Sequence, residues 1–194
     1  IVVADGLKYV AESKEKFDAI IVDSSEPIGP SAVLHTREFF ADCKRALKHD
    51  GILVTQNGLP FLFPDHLAGT TRVFGSLFKH VAPYMCTQPC YFGGPFALNW
   101  ASEEKDHLKL DAKDLEKRAK KRDIEGLKYW TPAVHVASFA LPAYAERVVE
   151  QAIEDGRAGH DEGYAHLDLK AKKDKGEKSE KPAKPKVKPA ERKP

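Results

Sequence analysis

Apolar residues in the first hundred positions form short blocks, separated by polar segments that contain glycine or proline. Two blocks, residues 17–22 and 52–55, are nearly continuous and rich in β-branched residues, which is typical of parallel strands buried on both faces. Between the blocks, apolar residues recur every three or four positions, the spacing of an amphipathic helix. The alternation of the two patterns predicts βαβ units and an open α/β sheet.

The same pattern sets the bounds of the individual elements. Thr36 is the predicted N-cap of the second helix, the Asp50-Gly51 pair is predicted to end it, and Gly156 is predicted to stop the last helix. The predicted strands are residues 1–3, 17–22, 52–55, 81–91 and 96–101. The predicted helices are residues 7–16, 37–49, 65–80 and 143–153, with one charged surface helix over residues 103–122.

Charge divides the chain into two unlike parts. The 194 residues carry 31 Lys+Arg and 29 Asp+Glu, but residues 170–194 hold eleven of the cations and four of the anions. Residues 1–169 therefore have a net charge of −5, and the Lys/Pro-rich tail has a net charge of +7. Because the tail has almost nothing to bury, we predict a domain over residues 1–155, a linker over 156–169 and a disordered tail over 170–194.

Composition also narrows the class of protein. The near-zero total charge does not favour a nucleic-acid partner, and no apolar run has the length needed to cross a bilayer. The three cysteines are few and odd in number, which favours a reducing, cytoplasmic compartment. The chain opens without Met, directly in a strand-like run, so we expect that it begins inside a domain.

Acidic side chains follow two of the predicted strands. Asp5 and Gly6 come after the first strand, and Asp23, Ser24, Ser25 and Glu26 come after the second. Ligands of open α/β sheets bind at the carboxyl ends of strands. Carboxylates placed there can hold an ammonium group, coordinate a hard metal, or divide into a base and an anchor. They can equally serve only to cap turns and helices, and the spacing alone leaves these alternatives open.

The segment from Phe17 to Pro30, FDAIIVDSSEPIGP, resembles the signature of the spermidine synthase family, the polyamine aminopropyltransferases. That signature is a strand ending in Asp, two small residues, an acid, Pro, an apolar residue and Gly-Pro. Further similarity extends over roughly residues 1–155. It lies at residues 3–6, at Leu34 with Phe39 and Phe40, at residues 46–53 with Gln56, at residues 86–94 and at residues 129–142.

The resemblance implies a Rossmann-like, methyltransferase-type doubly wound sheet and a specific reaction. Family members transfer an aminopropyl group from decarboxylated S-adenosylmethionine to a diamine, usually putrescine, without a metal or other cofactor. They usually form homo-oligomers. Asp23 would be the catalytic base, and Glu26, Gln56 and Tyr91 would contact the diamine. The residues implied at the nucleoside co-substrate are Asp5, Gly6, Ser24, Pro30 and Leu34.

Two departures from the family pattern change these expectations. Glu26 replaces the more common Asp, which favours the hypothesis of a diamine other than putrescine. The Gly-rich nucleotide loop and the N-terminal β-domain of the family have no counterpart here, and the first two family strands would lie between residues 1–4 and 17–22. We therefore expect a sheet incomplete at its N-terminus, with neither tight donor binding nor catalysis by this chain alone.

Three alternatives to spermidine formation stay open from the sequence. Aminopropyl transfer to a spermine-type or other acceptor uses the same residues. A methyltransferase shares the fold, but the aromatic or Pro-Pro motif usual after this strand is missing. A non-catalytic remnant is favoured only by the absent nucleotide loop.

Overall fold

Strands and helices alternate along the chain in the computed structural model, which describes residues 1–91, 94–104 and 107–163. The predicted tail and residues 164–169 of the predicted linker lie outside this range. The strands are β1 (Phe17–Val22), β2 (Leu47–Gln56), β3 (His80–Cys86) and β4 (Phe96–Ser102). The helices are α1 (Gly6–Glu12), α2 (Arg37–Ala46), α3 (Pro64–Leu77), α4 (Ala112–Lys121), α5 (Pro132–Ser138) and α6 (Ala143–Arg157), with 3₁₀ turns at Gly29–His35 and His107–Lys109.

The four strands form one mixed sheet in the order β1-β2-β4-β3. β1 and β2 are parallel, with Ile20 opposite Leu53, while β4 is antiparallel to both of its neighbours. β3 therefore runs in the same direction as β1 and β2. The carboxyl ends of these three strands meet at one edge of the sheet, called the carboxyl edge below.

Helices cover both faces of the sheet, as the doubly wound fold requires. On one face, α2 and α3 bury Phe40, Phe74 and Leu53 in the main core, and α6 packs against α3. On the other face, α4 and α5 surround a cavity of about 600 Å³ above Val54 and Trp100. The α/β fold class predicted from the sequence is confirmed.

β1 has the predicted bounds but not the predicted burial. Ile21 is 72% exposed, because β1 pairs with β2 and no other described strand lies along its second side. Residues 1–3, predicted as a strand, form no strand in the structure and are exposed. A strand needs a hydrogen-bonded neighbour, and the described chain offers none at this position.

Three of the helix predictions differ from the structure for identifiable reasons. α2 ends at Ala46 rather than at Asp50-Gly51, because Leu47 already pairs with Phe17 in the sheet. The charged segment predicted as one helix contains a 3₁₀ turn followed by α4. α6 continues through Gly156 to Arg157, so this glycine does not stop the helix.

Gly156 instead allows α6 to lie very close to α3. A Cβ atom at Gly156 would stand 2.1 Å from the carbonyl oxygen of Arg72, and one at Gly75 would stand 3.1 Å from that of Ile153. The two glycines thus form a reciprocal contact in which backbone meets backbone. This contact fixes α6 against the helix that follows β2.

We predict that Gly156→Ala destabilises the fold by about 2 kcal/mol, because the added methyl group overpacks the α3–α6 contact. Helix propensity alone would make the Gly156→Ala protein more stable, because glycine inside a helix is less favourable than alanine. Gly6→Ala in α1 is the matched control, since a Cβ there meets no atom within 4 Å. Urea unfolding of the three proteins measures the effect, and equal midpoints for Gly156→Ala and Gly6→Ala would contradict it.

Candidate active site

Three chain segments bring polar side chains to the carboxyl edge. Asp23 directly follows β1, and Gln56 is the last residue of β2. Tyr91 lies in the connection from β3 to β4, which begins at the same edge. The parallel direction of β1 and β2 is what places the first two next to each other.

The four residues Asp23, Ser24, Ser25 and Glu26, called the 23–26 loop, are held through their backbone carbonyl groups. Gln56 Nε2 donates to Ser24 O at 2.8 Å, and Ser31 Oγ donates to Glu26 O at 2.5 Å. His35 Nε2 lies 3.1 Å from Ser25 O. Three successive carbonyl groups therefore each have a partner, one at the end of β2 and two in the 3₁₀ turn Gly29–His35.

Gln56 is itself fixed by the sheet. The residue after it, Asn57, donates its backbone N–H to Ala97 O at 2.8 Å, and the Ala97 N–H donates to Gly58 O at 2.8 Å. Gly58 has a φ of +67°, which a side chain rarely adopts and which lets the chain turn at the end of β2. Gln56, which anchors the 23–26 loop, is therefore held in place by hydrogen bonds to β4 as well as by its position in β2.

The two carboxylates of the loop differ in their surroundings. Asp23 is exposed, and its side chain makes no hydrogen bond or ion pair with any described residue. Glu26 is half-buried, and its Oε1 lies 3.8 Å from the position that a Cβ atom of Gly58 would take. The structure thus brings Glu26 to the end of β2 and leaves Asp23 accessible beside it. Two nearby anions favour a cationic ligand.

Asp5 acts as a helix cap in the structure. Its Oδ1 accepts hydrogen bonds from Leu7 N at 2.9 Å and Lys8 N at 3.3 Å at the start of α1. Arg45, at the end of α2 that leads into β2, donates to the carbonyl groups at the other end of α1. Arg45 thus ties the carboxyl end of α1 to the end of α2.

The remaining predicted site residues lie apart from the loop carboxylates. Tyr91 is half exposed and its ring lies 5.1 Å from that of Phe96. Leu34 packs against the main core, and Pro30 is exposed at the start of the first 3₁₀ turn. Within the described residues, no hydrogen bond links Asp5 or Tyr91 to Asp23 or Glu26. The roles of these residues in ligand binding remain predictions.

His35 is a residue of this site that sequence reasoning missed. It is 4% exposed, and its Nε2 also lies 3.0 Å from Ser24 Oγ. With His66, Asn57 and Thr70 it lines a cavity of only about 10 Å³ behind the 23–26 loop. Its position, just before the N-cap Thr36, carries no pattern that marks it as part of the site.

Burial lowers the pKa of His35, because a charged imidazole loses its hydration. The hydrogen bond to the Ser25 carbonyl acts in the opposite direction, and the nearby His66 lowers the pKa further. Since burial is the largest of these causes, His35 is neutral at pH 7.

The described residues form neither a metal-binding cluster nor a membrane-spanning helix. Among the described residues, no group of three or more His, Cys, Asp or Glu side chains is placed to hold a metal ion. The described helices include none that is long and apolar enough to cross a membrane. Cys43, Cys86 and Cys90 are free.

Comparison with known proteins decides the family. The model of the spermine/spermidine synthase domain matches residues 1–112. This chain belongs to the spermine/spermidine synthase family. The family assignment confirms the resemblance found from the FDAIIVDSSEPIGP segment, and the 23–26 loop lies within the matched residues.

Curated relatives of this chain carry the name polyamine aminopropyltransferase. The polyamine aminopropyltransferase of Ruegeria sp. (strain TM1040) is 45% identical over 148 residues, which cover 76% of this chain and 52% of that protein. That of Pectobacterium carotovorum subsp. carotovorum (strain PC1) is 39% identical over 152 residues, covering 78% and 53%. The chain thus spans about half the length of the curated relatives it matches.

Solved spermidine synthases share the fold of this family member. A spermidine synthase in complex with the transition-state analogue AdoDATO is 31% identical, with a TM-score of 0.69 over 77% of this chain and 50% of that one. The spermidine synthase of Thermotoga maritima is 30% identical, with a TM-score of 0.65 over 77% and 48%. The Rossmann-like fold predicted from the sequence is confirmed.

We predict that the free energy of unfolding falls as the pH is lowered below about 6.5, the ordinary pKa of histidine. Because the pKa of His35 is lowered in the folded state, the unfolded chain binds more protons in this range, and stability is retained only above it. Chemical unfolding between pH 5 and 8 measures the slope. His35→Gln should reduce the slope without removing it, because burial lowers the pKa of His135 as well. An unchanged slope in His35→Gln would assign the effect to other groups.

Proposed function

We infer that this fold is the acceptor-binding and catalytic part of a polyamine aminopropyltransferase. The observation that carries the proposal is the 23–26 loop, which holds Asp23 and Glu26 at the carboxyl edge of two parallel strands in a member of this family. Decarboxylated S-adenosylmethionine would be the co-substrate and a diamine the acceptor. The favoured product is spermidine, formed from putrescine together with methylthioadenosine.

The reaction is a displacement at the carbon next to a sulfonium ion. A diamine is largely protonated at neutral pH, so one amine must lose a proton before its lone pair can attack. Asp23, exposed and without a partner among the described side chains, is placed to accept that proton. The new N–C bond forms as the C–S bond breaks, and the electron pair stays on sulfur. Because the sulfonium is already a good leaving group, the step needs no metal.

The loop carboxylates also help to bind two cationic reactants. The proposed diamine contacts are Glu26, Gln56 and Tyr91. Acidic side chains raise the local concentration of cations, and a fixed loop geometry lowers the entropic part of the barrier. Gln56 would serve in addition as the anchor of Ser24 O. The proposed nucleoside contacts are Asp5, Gly6, Ser24, Pro30 and Leu34.

Glu26 favours an acceptor other than putrescine. Glu26 is one methylene longer than the Asp of the common family motif, which moves the carboxylate by about that length. A pocket change of one methylene alters discrimination by about 1–3 kcal/mol. We therefore keep a diamine other than putrescine as the alternative acceptor.

The test of the proposed function uses a fusion that supplies the other half of the fold. The part of the Ruegeria aminopropyltransferase that precedes its matched region is joined ahead of Ile1. We expect this fusion to release methylthioadenosine from decarboxylated S-adenosylmethionine and putrescine, while residues 1–194 alone neither react nor bind methylthioadenosine at micromolar concentration by calorimetry. Asp23→Asn should lower the rate of the fusion at least about 100-fold, the loss typical of removing a general base.

Asp18→Asn is the matched control for Asp23→Asn. Asp18 is also an acid of the β1 segment, but it is exposed and paired with Lys48 far from the carboxyl edge. We expect the Asp18→Asn fusion to keep its rate. An active Asp23→Asn fusion would refute the role of Asp23, and micromolar binding of methylthioadenosine to the unfused chain would refute the need for the second half.

We predict that Glu26 sets the length of the preferred diamine. In the fusion, Glu26→Asp should shift the preference towards a diamine one methylene longer, by about tenfold in relative kcat/KM. Competition among diaminopropane, putrescine, cadaverine and spermidine measures the profile. A profile dominated by putrescine in both proteins would exclude the hypothesis of altered specificity.

A further inference from the structure

The bond from His35 to the 23–26 loop fixes where the imidazole carries its proton. The carbonyl oxygen of Ser25 only accepts hydrogen bonds, and it lies 3.1 Å from His35 Nε2. Nε2 must therefore bear the hydrogen. In the neutral ring this leaves Nδ1 without a proton, so the contact selects one of the two tautomers.

The hydroxyl group of Ser24 completes a consistent set of donors. Ser24 Oγ donates to Ser25 O at 3.1 Å, and its oxygen, 3.0 Å from His35 Nε2, accepts a share of the same N–H. Ser25 O thus receives one donor from the loop itself and one from outside it. Together with the bond from Ser31 to Glu26 O, the outside donor ties the loop to the 3₁₀ turn ending at His35.

His35 reaches the loop at its midpoint. Ser25 lies between Asp23 and Glu26, while the Gln56 and Ser31 bonds hold the carbonyl groups on either side of it. Loss of the central bond would free the peptide that sets the spacing of the two carboxylates. The Ser24 and Glu26 anchors would remain.

We propose that His35 is a positioning residue, whose Nε2–H holds the Ser25 carbonyl and thereby sets the separation of Asp23 and Glu26. The proposal deepens the proposed function, on which its kinetic consequence rests. His66 from α3 is a titratable neighbour of the imidazole and lines the same small cavity. His35 acts through the Ser25 carbonyl group and the Ser24 hydroxyl group of the loop.

The first test is the spectroscopic signature of the tautomer in the 194-residue chain. Long-range ¹H–¹⁵N correlation spectra at pH 7.5 distinguish imidazoles protonated at Nε2 from those protonated at Nδ1. The signals lost in His35→Gln identify His35. We expect the neutral Nε2–H form. A ring protonated at Nδ1, or a charged ring, would overturn the proposal even if other variants fail to fold.

The second test compares the loop with the core by amide hydrogen exchange. The Ile28 amide donates to Glu26 O at 2.6 Å and reports on the loop, whereas Leu53 reports on the core. In His35→Leu, which has no donor, exchange at Ile28 should be about tenfold faster with Leu53 unchanged. His35→Gln offers a side-chain N–H and should stay within about threefold of the parent at both sites.

Two results of the exchange experiment would overturn the proposal. An unchanged rate at Ile28 in His35→Leu would show that the bond does not hold the loop. An equal acceleration at Ile28 and Leu53 would show that His35 supports the whole fold rather than the loop.

The kinetic consequence separates this proposal from the proposed function. In the Ruegeria fusion, His35→Leu should lower kcat/KM for the diamine about tenfold, and His35→Gln should restore most of it. Full activity of the His35→Leu fusion would contradict the positioning role. An inactive parent fusion would count against the proposed function, whereas the tautomer and exchange results would still decide whether His35 holds the loop.

Discussion

The parallel pairing of β1 with β2 is the constraint on which the candidate site depends. It puts the ends of two strands side by side, so that Asp23 after one strand meets Gln56 at the end of the other. An antiparallel pair would send these residues to opposite edges of the sheet. The hydrogen bond from Gln56 to Ser24 O is thus a direct consequence of strand direction. The antiparallel β4 then supports the β2 end through the bonds between Ala97 and its neighbours.

A loop held through its carbonyl groups leaves its side chains available for chemistry. Gln56 of β2 and two residues of the 3₁₀ turn, Ser31 and His35, donate hydrogen bonds to the backbone of the 23–26 loop. The carboxylates of Asp23 and Glu26 take no part in these hydrogen bonds. A catalytic base needs both a fixed position and a reactive, unpaired group, and this division of roles meets both needs. It also explains why buried polar residues cluster behind the loop rather than in it.

Much of this arrangement could be predicted from the sequence, because it depends on short-range patterns. The β-branched run before Asp23 gave β1 its bounds, and Thr36 caps α2 as expected. Features that depend on tertiary contacts could not be predicted in this way. Gly156 reads as a helix stop, yet it lies inside α6 because the Arg72 carbonyl group approaches it. His35 gave no signal, since its partners, the Ser25 carbonyl group and the Ser24 hydroxyl group, lie ten and eleven residues away in the chain.

The described chain fixes the proposed binding site of the diamine acceptor more firmly than that of the nucleoside donor. The acceptor side rests on β1, β2 and β4, whose hydrogen bonds fix the 23–26 loop from several directions. Asp5 and Gly6, proposed for the donor side, lie at the start of α1, which packs on α2. The second side of β1 has no partner among the described strands. Since relatives of this chain are about twice as long as the matched region, added backbone along β1 would order the donor side while leaving the acceptor side as it is. Activity gained by the fusion should therefore come mainly from tighter nucleoside binding.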